Sequence, residues 1–374
     1  MAKIKYKRKE SNRVGNYPDQ VLLLLVLLLV SFGLIMVYSS SSILSLDRFG
    51  DSMFYVKRQA SRLSIGIVFM AFFAFFDYRH LKSLHWPIIL LGFFLLVLIF
   101  VPGISVRAGG ASRWIDIGIR LQPSEFFKLA LLVFAASKLS KIDDVQKRFK
   151  LCVLPVIVAT GLGFLLIQNS DLSTALIIIV LGFTLIFSVY SKPWFVASIF
   201  VASISMVSYI IFVTPFRLRR IVAFMDPWAN QLESAYQIIQ SLVSLGSGGL
   251  FGLGLGQSRQ KFLFLPEEHT DFIFAILGEE FGFIGCTFVL LALFVFCWRG
   301  LKITQNSKDL FGKLLALGVT MYLGMQIIIN VCVVIGLLPP TGMPLPFLSY
   351  GGSSMIANLI AIGILLNVSR GLDA

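Results

Sequence analysis

The stretch Pro266-Glu267-Glu268-His269-Thr270-Asp271-Phe272-Ile273-Phe274 sets an acid, an imidazole and a hydroxyl at the mouth of an apolar run. Asp271 stands where such a run would leave a bilayer, so its carboxylate meets both water and lipid headgroups. A carboxylate there can take a proton from an attacking hydroxyl, which is general-base chemistry. Spacing alone allows a plainer reading too. An acid in the first turn of a helix is stabilised by the helix dipole, and His269 and Thr270 serve equally as caps. Glu279 and Glu280 fall inside the run that follows. At 100° per residue Glu279 returns to within about 80° of Asp271 and sits roughly 12 Å deeper, while Glu280 points about 180° away. Two adjacent buried acids call for a cation, and Lys128 is the expected partner of one of them.

Three further groups have chemical character. Arg113 and Trp114 read either as an interfacial anchor pair or as contacts for a phosphate and a sugar. Pro123-Ser124-Glu125 is a good helix start, and Glu125 and Lys128, three apart, share a face. That pair is either a first-turn acid with its counter-ion or a lysine placed one turn into a membrane span for function. Arg217, Arg219 and Arg220 open a long segment, and Arg259 and Lys261 come near its end. Between them lie Gly246, Gly248, Gly249, Gly252, Gly254 and Gly256. Residues 338–354, which include Ser349, carry no charge and are rich in proline, glycine and hydroxyls. They form either a rigid re-entrant turn or one wall of a lipid-facing cavity where backbone donors meet phosphate.

The scaffold that must hold these residues is written in the composition. Of 374 residues, 57% are hydrophobic and 14% charged, and the mean hydropathy is +0.86. A soluble domain carries roughly 25% charged residues, so a soluble enzyme is excluded and an all-α polytopic membrane protein is expected. Apolar runs near 21–38, 62–76, 84–101, 123–139, 151–167, 172–190, 194–213, 271–297, 313–338 and 352–368 predict ten spans. Residues 1–20 form a basic tail, 21–370 one membrane domain with a long loop over 214–270 between helices 7 and 8, and 371–374 a short tail. An even number of spans puts both termini on one side. Assigning that side as cytoplasmic leaves 19 Lys and Arg inside and 11 outside, with Arg62 and Lys128 in spans, as the positive-inside rule requires. The same rule accounts for the net charge of +13 without a nucleic-acid partner. Cys152, Cys286, Cys297 and Cys332 lie in or beside apolar runs without metal-ligand spacing, and read as packing residues.

Three segments together resemble the SEDS family (shape, elongation, division and sporulation) of bacterial cell-wall synthesis. They are Gly110-Ala-Ser-Arg113-Trp114-Ile115, the Pro266–Phe274 motif, and Leu338-Pro339-Pro340-Thr341-Gly342 through Ser349-Tyr350-Gly351-Gly352. Arg219-Arg220 through Trp228 and Gly254 through Lys261 look more like the division branch than the elongation branch. Glu268 is a small departure, since alanine is frequent before this histidine. The resemblance implies a peptidoglycan glycosyltransferase that polymerises lipid II at the outer face of the cytoplasmic membrane, at the septum, releasing undecaprenyl pyrophosphate. Asp271 matches the family's essential acid and would be the base. Arg113, Trp114, Lys128, Arg217, Arg219, Arg220, Arg259, Lys261 and His269 are the candidate substrate and pyrophosphate contacts. Glu125, Glu279, Glu280 and Ser349 are supporting polar groups. A divalent cation, magnesium or manganese, would bridge acid and pyrophosphate, though no motif fixes its ligands. A class B penicillin-binding transpeptidase and other division proteins are the implied partners. A lipid II flippase and a non-catalytic scaffold are the other classes. The charges concentrate on the outer side, which does not suit a transmembrane charged path, and a scaffold gives no reason for Asp271 at the substrate surface.

Overall fold

The computed structural model describes residues 17–108, 111–116, 120–140, 149–190, 192–229, 234–262, 265–266 and 268–371. Thirteen α-helices and one small sheet occur among them. Each of the ten expected runs coincides with a helix. In chain order these are α1 (Gln20–Phe49), α2 (Phe54–Phe75), α3 (Arg79–Ser83), α4 (His85–Leu98), α5 (Pro123–Leu139), α6 (Phe149–Ile167), α7 (Leu172–Val189), α8 (Pro193–Val213), α9 (Pro215–Met225), α10 (Ser234–Gly248), α11 (Ile273–Asn306), α12 (Leu310–Val334) and α13 (Gly352–Arg370). Six of them, α1, α6, α7, α11, α12 and α13, are long and apolar enough to cross a membrane, and α8 with α9, bent by 97°, makes a seventh candidate. The other expected spans fall short for visible reasons. Helix α4 has only 14 residues. Helix α5 has 17 and carries Glu125 and Lys128, and α2 opens with Lys57, Arg58 and Arg62.

Helix starts follow local chemistry. The Asp19 carboxylate accepts from Leu22 N at 2.9 Å to cap α1, and Asp171 accepts from Thr174 N at 3.0 Å to cap α7. Both meet orphan first-turn donors. Pro123 occupies the first turn of α5, where its missing N–H does no harm. The first and last described segments meet at one end of the bundle. Asp19 N donates to Ser369 Oγ at 2.9 Å, and the Asp19 carboxylate pairs with Arg299 of α11 at 2.5 Å.

The opposite end carries a small sheet, and here the all-α expectation is corrected. Three antiparallel strands, β1 (Ser105–Ala108), β2 (Ala111–Asp116) and β3 (Arg120–Leu121), form a sheet in the order β1-β2-β3. Val106 pairs with Trp114 and Ile115 with Leu121. Its short alternation of polar and apolar residues buries Ile115, a two-residue period that a search for membrane-length runs passes over.

The long segment after α8 is structured as α9 and α10. Helix α11 breaks at Gly282 (φ 67°, ψ −166°), and the glycine-rich loop fills the break. Leu253 N donates to Glu279 O at 2.9 Å, Gly254 N to Glu280 O at 3.0 Å, and Phe283 N to Gly249 O at 2.9 Å. Loop and helix approach so closely that a Cβ on Gly282 would lie 2.4 Å from Gly252 N. Only glycine permits that contact at positive φ.

Candidate active site

Asp271 occupies the turn just before α11 and is partly exposed. Three separate elements supply its surroundings. The proline-rich segment between α12 and α13 supplies Gly342, at φ 76°. A Cβ added there would lie 3.6 Å from Asp271 Oδ2 and 3.7 Å from Arg113 Nη1. Carboxylate and guanidinium thus border one small gap kept open by the absence of a side chain. Arg113 comes from β2 and is anchored from behind, donating through Nε to Ser170 O at 2.6 Å. Arg220, on α9, is partly buried within electrostatic range of both: burial first, and then the positive charge of Arg113, lowers its pKa, and the negative charge of Asp271 opposes them. Its guanidinium lies over the Phe216 ring at 4.7 Å, and its Nε has no hydrogen-bond partner among the described residues.

Two guanidiniums near one carboxylate leave a net positive charge in its neighbourhood. Such a pocket binds an anion with several oxygens, because guanidinium donors match phosphate geometry. A divalent cation fits poorly here: the acid is flanked by positive charge. Among the described residues, no group of three or more His, Cys, Asp or Glu comes together.

The other predicted residues have different surroundings. Arg217 donates to Gln168 O at the end of α6, where a cation suits the helix dipole. Arg219 and Arg259 are exposed. Trp114 is partly exposed beside Arg113 on β2. Lys128 is fully buried, with its ammonium 2.7 Å from Glu125 Oε1. The expected pairing of Lys128 with Glu279 or Glu280 is therefore corrected, and so is its placement against a pyrophosphate. An ammonium sealed against its own neighbour one turn away has no open face. Tyr322 donates to Asn358 Oδ1 at 2.6 Å and lies 3.3 Å from Glu125 Oε2, completing a closed polar cluster inside the bundle.

Glu279 and Glu280 grip the glycine-rich loop instead. Glu279 accepts from Ser258 Oγ at 2.5 Å, Arg259 N at 2.9 Å and Ser244 Oγ at 3.2 Å. Glu280 accepts from Ser39 Oγ of α1 at 2.5 Å and lies 3.9 Å from the buried Lys261 ammonium. Lys261 also donates to Gly256 O, so it fastens the loop.

His269 is buried between Tyr55 and Tyr350, at ring distances of 4.6 and 5.4 Å. Its carbonyl accepts from Tyr350 N at 2.9 Å. Ser349 closes the turn before α13, accepting from Leu345 N at 2.8 Å. The sequence reading missed the face of α2 that carries Tyr55, Gln59 and Arg62 onto this turn. Gln59 Nε2 donates to Ser349 O at 3.3 Å, its Oε1 accepts from Gly351 N at 3.3 Å, and Arg62 Nη1 donates to the Tyr350 hydroxyl at 2.9 Å. It also missed Asn330, a polar residue within an apolar run, which is itself a signal for function.

A family profile described as a cell cycle protein, spanning FtsW, RodA and SpoVE, matches residues 19–373. A probable peptidoglycan glycosyltransferase FtsW from Geobacter sp. (strain M18) is 40% identical over 359 residues, covering 96% of this chain and 98% of its own. Stage V sporulation protein E of Bacillus subtilis (strain 168) is 42% identical, covering 94% and 97%. Among solved structures, a chain studied for the structural coordination of polymerization and crosslinking by a peptidoglycan synthase complex superposes with a TM-score of 0.76 at 25% identity, covering 94% and 98%. The rod shape determining protein RodA of Thermus thermophilus gives 0.67 at 26% identity, covering 94% and 97%.

Proposed function

This chain belongs to the FtsW, RodA and SpoVE family of cell cycle proteins, and we propose that it is the peptidoglycan glycosyltransferase that polymerises lipid II during septal wall synthesis. The observation that carries the assignment is the gap at Gly342, bordered by the Asp271 carboxylate and the Arg113 guanidinium, with Arg220 electrostatically joined to both. In the reaction, a sugar 4-hydroxyl attacks the anomeric carbon of the donor. The C–O bond to undecaprenyl pyrophosphate breaks, and the bond to the 4-oxygen forms. Asp271 accepts the hydroxyl proton. Arg113 and Arg220 hold the departing pyrophosphate, whose negative charge grows as the bond breaks, so their stabilisation is greatest in the transition state. The guanidiniums supply the positive charge that a magnesium or manganese ion would otherwise bring.

The proposed topology has ten spans, both termini in the cytoplasm and the segment 214–270 outside. The positive-charge bias supports it, as does the meeting of Asp19 with Ser369. The gap then lies at the outer membrane surface, where polyprenyl tails run between helices. The proposed partner is a class B penicillin-binding transpeptidase of the divisome. Supporting this, a chain of the same fold belongs to a complex in which polymerization and crosslinking are coordinated. Lys128 sits in a closed ion pair and lines no charged path across the membrane, which disfavours a flippase.

The test is detergent-purified protein with lipid II, with and without the transpeptidase. Detergent removes the two compartments, so a flippase has no task there. Glycan strands on gel electrophoresis are the expected product. Unreacted lipid II under every condition would refute the assignment.

A further inference from the structure

We infer that Asn330 is the positioning residue that fixes the backbone on both sides of the Asp271 gap. This role presupposes Asp271 as the general base. Asn330 lies near the end of α12 and is 1% exposed. Its Nδ2 donates to Asp271 O at 2.7 Å and to Met343 O at 2.8 Å. Both neighbours are carbonyl oxygens and can only accept, so chemistry settles which end of the amide faces them. Its own Oδ1 has no partner among the described residues. Both contacts made by the side chain thus come from its donor end.

The two carbonyls belong to the segments that make the gap. One is the backbone of Asp271 itself. The other is Met343, next to Gly342, where an added Cβ would lie 3.6 Å from Asp271 Oδ2 and 3.7 Å from Arg113 Nη1. One amide thus sets the separation between the base and the wall opposite it. A second tether, Tyr350 N to His269 O at 2.9 Å, holds the same turn from the α13 side but does not reach residue 343. A reacting group displaced by about 1 Å can lose roughly a hundredfold in rate. No apolar residue provides two donors, and an aspartate would turn a negative charge toward two carbonyl oxygens.

The experiment is steady-state lipid II polymerisation by the full chain with its transpeptidase present, comparing wild type, Asn330→Asp and Asn330→Ser. Asn330→Asp keeps the shape and loses both donors. Asn330→Ser keeps one donor and adds no charge. The expected result is a kcat lowered about tenfold to a hundredfold in Asn330→Asp and by less in Asn330→Ser, with KM within about threefold of wild type. Thermal unfolding in detergent reports whether each variant is folded. A folded variant with wild-type kcat overturns the role, as does a raised KM at unchanged kcat. Failure of both variants to fold assigns Asn330 to bundle stability and also overturns it. Wild-type protein without turnover refutes the glycosyltransferase reading itself, an outcome distinct from an active wild type with unaffected variants.

Discussion

Glu279 and Ser258 are joined by a 2.5 Å hydrogen bond that ties the glycine-rich loop to α11. The same carboxylate accepts from Ser244 Oγ and from the backbone of Arg259. An acid in the apolar part of a helix is thereby satisfied by hydroxyls and amides, and the loop carrying Arg259 and Lys261 is fixed. Replacing Glu279 with alanine strands several buried donors, each costing about 1–3 kcal/mol. Glu279→Ala is therefore expected to lose several degrees of Tm in detergent. Proteolysis should then cut first within 249–262. A variant with wild-type Tm and protease resistance would show that the loop is held by other contacts.

Gly342 offers a narrower test of the gap. Its φ of 76° is in the left-handed region, where a side chain costs roughly 1–2 kcal/mol. The new methyl of Gly342→Ala would meet Asp271 and Arg113 at ordinary contact distance and occupy space that the substrate needs. The expected outcome is a KM for lipid II raised more than tenfold, with Tm lowered by only a few degrees. An unchanged KM would place the substrate elsewhere.

Much of this arrangement was legible in the sequence because chemistry at membrane surfaces is rare and therefore visible. Asp271, Arg113 and Arg220 stood out as charges in a chain with few of them, and the structure brings these three together. The apolar runs located the helices for the same reason. What stayed hidden depends on pairing. Lys128 and Lys261 look alike in sequence as isolated cations. Only their neighbours, Glu125 in one case and Glu280 with the Gly256 carbonyl in the other, show that both are used up inside the protein. The helical angles drawn from Asp271 to Glu279 failed because the turn at Asp271 lies outside α11 and its acids face the inserted loop. Tyr55 and Gln59 carry no sign of their long-range partners at residues 269 and 349–351.

Lys128 and Glu125 form a pair sealed from solvent. Removing one member of such a pair costs about 3–5 kcal/mol, because the other charge is left buried alone. Lys128→Met is expected to destabilise the protein strongly and reduce activity in proportion to the folded fraction. Adding Glu125→Gln should restore much of the Tm. A stable Lys128→Met protein with a selective loss of turnover would instead make this lysine a substrate contact.

Arg220 and Arg219 are neighbours in sequence with different expected effects. Arg220 shares the field of Asp271 and Arg113, whereas Arg219 is exposed. A charge-assisted contact to phosphate is worth about 1.5–3 kcal/mol, so Arg220→Ala should slow polymerisation roughly tenfold to a hundredfold. Arg219→Ala should stay within about threefold of wild type. Initial rates on lipid II measure both, and the reverse ranking would move the pyrophosphate to the outer face of α9.

The most direct measurement is the polymerisation rate of Asp271→Asn. Asparagine matches aspartate in size and is about as good at a helix start, so the fold, membrane insertion and transpeptidase binding should survive. The amide cannot accept the proton of the 4-hydroxyl. Losing a general base lowers the rate by about 10²–10⁴, and the variant is expected to make almost no glycan from lipid II. Folded Asp271→Asn protein that polymerises lipid II at the wild-type rate would contradict the account and leave Asp271 as a residue of the helix start.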